Sequence, residues 1–240
     1  MCMRPLGGLC SREERCDESL PIPAAGCRRH PAGLWATYET CFSSQRPFSQ
    51  ELLDCYETCN SRWWQKLERG ECTKPQLVVA RFVDFLRETG LSGVPEEINR
   101  LYFENLGQGG ALLPGALELV RDLAQRYQLY IVTNGNAATQ KPRLARSGLM
   151  GYVKEYFVSE DAGATKPDKR YFDYVFARIP GFSKESALLI GDSPTSDMRG
   201  AQNAGVDSLW YNPKGETLPE GMAVTYQAER FEEIRQLLLP

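Results

Sequence analysis

Six residues have the types and the spacing to bind a phosphate group or a metal ion. They follow short apolar stretches and are Thr133, Asn134, Gly135, Lys166, Asp192 and Asp197. A hydroxyl and backbone amides can hold phosphoryl oxygens, a lysine neutralises their charge, and carboxylates are the hard ligands that Mg²⁺ prefers. Phosphoryl transfer depends mainly on such positioning and charge stabilisation. The spacing therefore predicts a phosphoryl-transfer site, with Asp192 and Asp197 as candidate metal ligands.

An alternation of strands and helices is expected to position these residues. Apolar strand runs are predicted at 129–132, 156–159, 187–190 and 208–211. Helices are predicted at 114–127, 137–147, 167–179, 195–204 and 230–238. Such alternation is typical of a parallel sheet covered on both faces, whose ligands lie beyond the carboxyl ends of the strands. We therefore expect a three-layer α/β core over residues 109–240.

A helical segment precedes this predicted core. Residues 49–67 carry apolar side chains near a 3.6-residue period, and Thr73 with Gln76 fits a capping box that opens a second helix. A third helix is predicted at 95–106, before a glycine-rich linker at 107–110. These helices predict a small helical cap over residues 48–108.

Residues 1–47 differ from the rest of the chain. They carry scattered prolines and arginines and show neither helical nor strand periodicity. Five of the eight cysteines lie there, at spacings too wide and uneven for paired zinc ligands. We interpret this stretch as an atypical segment, either disordered or the product of a shifted reading frame. His30, the only histidine, lies within it and is assigned no role.

Two further pairs of residues on the predicted cap have open interpretations. Cys55 and Cys59 lie four residues apart and share one face of a helix, where they could bind a metal, form a redox pair or simply pack. Packing is preferred because the sequence shows no second pair of ligands. Of Trp63 and Trp64, one is expected to pack in the cap, and nucleobase stacking by the other is a hypothesis.

The chemical motifs together resemble the haloacid dehalogenase (HAD) superfamily of phosphohydrolases. The resembling features are Thr133 at the end of an apolar strand, Lys166 before a proline, and the acidic pair Asp192 and Asp197. Longer stretches, including 130–135 and 171–180, look like pyrimidine 5'-nucleotidases of the YjjG type. The resemblance implies a Rossmann-like core with a small helical cap. It also implies that Thr133 holds the phosphate, Lys166 neutralises charge, Asp192 binds Mg²⁺ and Asp197 orients the site.

One element of the family pattern is not found. Family members open with an apolar strand ending in Asp-x-Asp-x-Thr, which supplies the nucleophile and then the general acid and base. The first 46 residues contain a single aspartate, Asp17, which no apolar strand precedes. In the family this strand lies between those of Thr133 and Asp192, so its loss would leave buried backbone groups unpaired. We therefore expect the chain as written to be poorly folded or inactive.

The resemblance implies a phosphoric monoester hydrolase that uses Mg²⁺ and acts on nucleoside 5'-monophosphates. The alternatives are a phosphatase for another small phosphorylated metabolite and a non-catalytic relic of the family. A net charge of −3 gives no reason to expect nucleic acid as a partner. No apolar stretch approaches the roughly 20 residues of a membrane helix. We expect a cytoplasmic monomer or homodimer whose partner is a small phosphorylated substrate.

Overall fold

The structure is a computed structural model that describes residues 5–10, 32–110 and 112–239. The strands are β1 (Pro5–Cys10), β2 (Gln128–Thr133), β3 (Val153–Val158), β4 (Leu188–Gly191), β5 (Asp207–Tyr211) and β6 (Tyr226–Ala228). The α-helices are α1 (Ala32–Phe42), α2 (Gln50–Glu68), α3 (Lys74–Thr89), α4 (Pro95–Gln108), α5 (Ala116–Leu123), α6 (Ala137–Ser147), α7 (Ser159–Ala162), α8 (Lys169–Phe176), α9 (Arg199–Ala204) and α10 (Phe231–Leu238). None of the helices in these ranges combines the length and the apolarity needed to cross a bilayer.

The strands form one parallel sheet in the order β3-β2-β1-β4-β5-β6. Successive side chains of a strand point to opposite faces. On one face, Tyr130 and Leu189 join a buried cluster with residues of α8 and α9. On the other, Leu129 and Leu188 join a cluster with residues of α5 and α10. The predicted three-layer α/β class is therefore confirmed.

Strand β1 lies at the centre of the sheet, between β2 and β4. In its register, Leu6 pairs with Leu129 on one side and with Leu188 on the other. We expected the facing backbone groups of β2 and β4 to lack partners. That expectation was wrong, because β1 pairs with both strands, and backbone hydrogen bonds form whatever side chains a strand carries. Unpaired backbone groups at this position are therefore no reason to expect poor folding. Residues 1–4 and 11–31 lie outside the described residues, and Asp17 and His30 are among them.

Helix α1 extends the helical cap toward the N-terminus, into the stretch expected to be atypical through residue 47. Leu34, Tyr38 and Phe42 recur every four residues, and all three are buried in the cap cluster. The Tyr38 ring lies 4.8 Å from that of Phe48, and its hydroxyl donates to the Arg46 carbonyl oxygen at 2.8 Å. Helix α1, which begins at Ala32, therefore belongs to the cap, because its buried side chains join the cap cluster.

The cap helices α2, α3 and α4 begin close to the predicted positions. Ser49 caps α2, and the capping box of α3 is present, with Thr73 N donating to Gln76 Oε1 at 2.8 Å. Helix α4 continues through Gln108, so the predicted linker is helical over its first two residues. A side chain at Gly107 would contact Pro142 of α6 at 3.7 Å, which shows how closely the cap approaches the core there.

Replacement of Tyr38 tests whether α1 belongs to the folded cap. We expect Tyr38→Ala to lower the free energy of unfolding by about 3–5 kcal/mol, because it removes a buried aromatic ring. Tyr38→Phe keeps the ring and is expected to cost about 0.5–1.5 kcal/mol, the value of one hydrogen bond. Urea unfolding of the two variants measures the difference. An alanine variant as stable as the parent chain would show that α1 does not pack on the cap.

Candidate active site

The six residues predicted from the sequence line one cleft of about 650 Å³ between the core and the cap. Thr133 ends β2, Asp192 directly follows β4, and Lys166 lies between α7 and α8. The carboxyl ends of parallel strands meet at one edge of the sheet, which is why these residues converge. From the cap, α2 contributes Asp54, Glu57, Thr58, Asn60, Ser61, Arg62, Trp64, Gln65 and Glu68. Ser193, Ser196, Lys214 and Glu216 complete the described lining.

A buried ion pair between Lys166 and Asp197 lies at the base of the cleft. Lys166 Nζ donates to Asp197 Oδ1 at 2.8 Å and to the Val132 carbonyl oxygen at 3.1 Å. Each of the two charged side chains is 1% exposed. Burial makes each charge depend on its partner, because an unpaired buried ion loses its hydration without compensation. The ammonium group is thereby fixed at the end of β2.

Asp197 is held in place by the turn that contains it. This turn, Pro194–Met198, is π-helical, and Ser193 N donates to Asp197 Oδ2 at 3.1 Å. Both carboxylate oxygens of Asp197 are therefore engaged within the protein. A Cβ at Gly191 would lie 2.5 Å from Asp197 atoms, so only glycine leaves room for the carboxylate there.

Asn134 connects β2 to the segment that carries Lys166. Its Nδ2 donates to the Lys166 carbonyl oxygen at 3.0 Å, and Lys166 N donates to Asn134 Oδ1 at 2.8 Å. A weaker bond runs from Asn134 Nδ2 to Ser196 Oγ at 3.4 Å. The structure thus directs the Asn134 side chain toward neighbouring protein groups, and its backbone amide is the part of this predicted substrate-binding residue that can meet a ligand.

Capping fixes the other end of the segment that carries Lys166. Asp168 is the N-cap of α8 and accepts a hydrogen bond from Arg170 N at 2.9 Å. The hydrogen bond from the Arg170 guanidinium lowers the pKa of Asp168 below its ordinary value. The N-cap side chain of Asp168 is therefore a carboxylate at neutral pH, and a carboxylate is favourable at a helix N-terminus.

Thr133 and Gly135 form the turn that follows β2. Gly135 N donates to Thr133 Oγ1 at 2.9 Å, and Thr133 N donates to the Tyr171 hydroxyl at 3.0 Å. Tyr171 donates in turn to the Phe157 carbonyl oxygen at 2.8 Å. The Thr133 hydroxyl accepts in this arrangement, and its own hydrogen is a donor. The role of Tyr171, which is 0% exposed, was missed because no local pattern links residues 38 positions apart.

Asp192 is positioned by β4 and β5. Its carbonyl oxygen accepts a hydrogen bond from Trp210 Nε1 at 3.1 Å, and Trp210 is almost fully buried in β5. The Asp192 side chain lines the cleft with its Oδ1 atom buried. The structure therefore presents a carboxylate at the sheet edge, close to the residues of the Lys166 pair.

A lysine of the cap contacts the turn after β2. Lys74, the first residue of α3, donates from Nζ to the Gly135 carbonyl oxygen at 2.7 Å and lies 3.4 Å from Glu160 Oε1. Glu160 Oε2 also accepts from Ala137 N at 3.0 Å. These contacts connect the cap directly to the candidate phosphate-binding turn. No local sequence pattern points to Lys74, because its partners lie 61 and 86 positions away.

The two cap tryptophans have different surroundings. Trp64 lines the cleft, whereas Trp63 donates from Nε1 to Asp84 Oδ2 at 2.8 Å and has Lys66 Nζ 4.1 Å from its ring centroid. Of the two, Trp64 is therefore the one placed to meet a ligand in the cleft.

The described lining of the cleft carries more acidic than basic side chains. Asp54, Glu57, Glu68, Asp192, Asp197 and Glu216 are acidic, and Arg62, Lys166 and Lys214 are basic. An unaccompanied phosphate dianion would meet net repulsion from this lining. A bound divalent cation would offset most of this negative charge.

Comparison with known proteins identifies relatives across most of the chain. Residues 23–205 match the haloacid dehalogenase-like hydrolase family model. The putative HAD-hydrolase YfnB of Bacillus subtilis is 41% identical over 192 residues, which cover 80% of this chain and 82% of that protein. The pyrimidine 5'-nucleotidase PynA of Streptococcus pneumoniae is 36% identical, covering 79% of this chain and 80% of that protein. The pyrimidine 5'-nucleotidase YjjG of Escherichia coli is 31% identical, with 80% and 84% covered.

A solved structure supports the same relationship. The orthorhombic crystal form of Bacillus subtilis YfnB, bound to magnesium, superposes with a TM-score of 0.81 at 38% identity. The match covers 87% of this chain and 90% of that chain. The described fold and the sequence relatives therefore point to one family.

Gly191 offers a test of how tightly Asp197 is packed. We expect Gly191→Ala to lower the free energy of unfolding by about 1–3 kcal/mol, because the new Cβ would overlap the packed Asp197 side chain. Gly151→Ala is the matched control, since a Cβ there meets nothing within 4 Å. It is expected to leave the unfolding free energy within about 1 kcal/mol of the parent chain. Equal stability of both variants in urea unfolding would contradict the packing described here.

Proposed function

Because the chain belongs to the haloacid dehalogenase-like hydrolase family, we propose that its cleft binds a nucleoside 5'-monophosphate together with Mg²⁺. The observation that carries the proposal is the convergence of Thr133, Lys166 and Asp192 in one cleft at the sheet edge. Two relatives are pyrimidine 5'-nucleotidases, which favours a nucleotide over other phosphate esters. By family, the reaction of such a site is hydrolysis of a phosphate monoester.

In this proposal Thr133 and Lys166 hold the phosphate group. The Thr133 hydroxyl and the Asn134 backbone amide donate to phosphoryl oxygens, each bond to a charged group contributing about 1.5–3 kcal/mol. Lys166 Nζ places a fixed positive charge beneath them, because Asp197 and the Val132 carbonyl oxygen hold it from two sides. A preorganised charge of this kind stabilises the negative oxygens without having to reorganise during the reaction.

Asp192 is the proposed protein ligand of Mg²⁺. Its carboxylate faces the cleft, and the acidic excess of the described lining favours a cation. Asp197 was also predicted as a ligand, but its two oxygens already bind Lys166 and Ser193, so we assign it to positioning Lys166. Mg²⁺ keeps several water ligands in most protein sites, which suits a single carboxylate. When bound, the ion would neutralise phosphate charge.

The cap is proposed to select the organic part of the substrate. A cleft of about 650 Å³ suits a small ligand. Trp64 offers an aromatic face for a base, and Ser61 and Gln65 offer hydrogen-bonding groups beside it. Lys74 connects this wall to the phosphate-binding turn, so the cap contact and the phosphate site are adjacent.

Turnover needs a group that the described site does not supply. The family nucleophile is an aspartate after the first strand, and neither β1, Pro5–Cys10, nor residues 11–16 contain an aspartate. Removal of a catalytic nucleophile costs on the order of a millionfold in a serine protease. We therefore propose that this chain retains nucleotide binding and that its hydrolysis rate is close to background.

Nucleotide binding and hydrolysis should be measured separately on the full chain. We expect uridine and cytidine 5'-monophosphates to bind in calorimetry only when Mg²⁺ is present, with release of inorganic phosphate near background. Asp192→Asn should weaken binding at least about tenfold, as expected when an interaction of about 1.5 kcal/mol is lost. Asp173→Asn, on the surface of α8, is the matched control and should bind as the parent chain does.

Each other outcome would change the proposal. If many phosphate esters bind with no preference for a nucleobase, the substrate is another phosphorylated metabolite, or the chain is a non-catalytic relative that only binds phosphate. Rapid Mg²⁺-dependent phosphate release would show that another residue acts as the nucleophile. Absence of binding to every phosphate ester in the presence of Mg²⁺ would refute the proposed site.

A further inference from the structure

Three potential metal ligands meet where α2 packs against α3 in the cap. Cys55 and Cys59 lie one turn apart on α2, and Glu88 lies in the last turn of α3. One ligand atom from each of the three side chains lies within 4.8 Å of the other two. None of the three lines the cleft described above, so the cluster has no part in the phosphate site.

The spacing of these atoms suits a tetrahedral cation. Cys59 Sγ lies 3.5 Å from Glu88 Oε2, and Cys55 Sγ lies 3.8 Å from the same oxygen. An ion bound about 2.3 Å from sulfur and about 2.0 Å from oxygen in tetrahedral geometry separates those ligands by about 3.5 Å. We propose that Cys55, Cys59 and Glu88 form a binding site for a thiophilic divalent cation of the Zn²⁺ type.

The surroundings leave access for the ion and for a fourth ligand. Cys59 is buried and Cys55 is half-buried, but the Glu88 side chain is 33% exposed. Water can therefore complete the coordination from the Glu88 side. Soft sulfur ligands favour Zn²⁺ over Mg²⁺, so this site and the proposed Mg²⁺ site would take different ions.

Basic residues beside Glu88 engage its other oxygen. Arg62 Nη1 lies 3.0 Å from Glu88 Oε1, and Arg87 Nη2 lies 3.7 Å from it. Asp84 Oδ2 lies 3.5 Å from the same Arg62 nitrogen and offsets part of the positive charge. Glu88 Oε2 is thus the oxygen that faces the two sulfurs, and Arg62 orients the carboxylate from behind.

Cation binding would replace the two thiol protons. In the cation-free structure both thiols donate to Glu88 Oε2. On binding, two S–H bonds break, two sulfur–metal bonds form and two protons pass to the buffer.

Metal titration of the reduced full-length chain tests this proposal. In excess Mg²⁺, we expect one equivalent of Co²⁺ to produce a thiolate-to-metal charge-transfer band, and one equivalent of Zn²⁺ to abolish it. Calorimetry in two buffers should show about two protons released per ion, one for each thiolate formed. Cys55→Ser and Cys59→Ser should each weaken binding about 100-fold or more, and Glu88→Gln about tenfold.

Cys72→Ser is the matched control, because the Cys72 thiol donates to the Trp63 carbonyl oxygen outside the cluster. This variant should bind Co²⁺ as the parent chain does. If circular dichroism shows that the Cys59→Ser variant does not fold, the Cys55→Ser and Glu88→Gln variants still test the proposal. A chain that shows no band, or a band that survives Cys55→Ser and Glu88→Gln unchanged, would overturn the proposal and leave the cluster as helix packing.

Discussion

The buried ion pair between Lys166 and Asp197 is the interaction on which the candidate site depends. Each ion would lose several kcal/mol of hydration if buried alone, so each fixes the position of the other. Asp197 is placed by its π-helical turn and by the space above Gly191. Lys166 is placed by the Val132 carbonyl oxygen and by the paired hydrogen bonds of Asn134. The ends of β2 and β4 and the segment before α8 are thereby held together at the base of the cleft.

The cap lines the rest of the cleft and has a buried core of its own. Its buried cluster, built on α1 to α4, is separate from the two clusters that cover the sheet. Polar contacts join the cap to the core, and one of them runs from Lys74 to the Gly135 carbonyl oxygen at the site. Arg146 of α6 makes a second such contact, donating to the Gly107 carbonyl oxygen at 2.6 Å. Polar contacts of this kind can break and re-form at modest cost, whereas the apolar clusters keep each unit intact.

Local signals in the sequence predicted much of the fold. Helix α6 was predicted with its observed bounds because Gly148 is a recognisable C-cap, and in the structure Asn136 caps its N-terminus. Strand β1 was missed because Pro5–Cys10 contains two glycines and no apolar alternation, and its place is set by partners more than 100 positions away. The short edge strand β6 was missed for a similar reason. The convergence of Thr133, Lys166 and Asp192 could be predicted because the strand ends define one edge of the sheet. The contacts of Tyr171, Lys74 and the Asn134 side chain depend on distances that only the folded chain sets.

A double-mutant cycle on the buried ion pair tests the central claim most directly. The variants are Lys166→Met, Asp197→Asn and the two combined, each measured by urea unfolding of the full chain. If the pair organises the site, each single change costs about 3–5 kcal/mol, since it leaves an unpaired buried charge. The double variant should then recover about 2 kcal/mol or more of the summed loss. Additive effects within about 0.5 kcal/mol would show that the two groups act independently and would contradict the account.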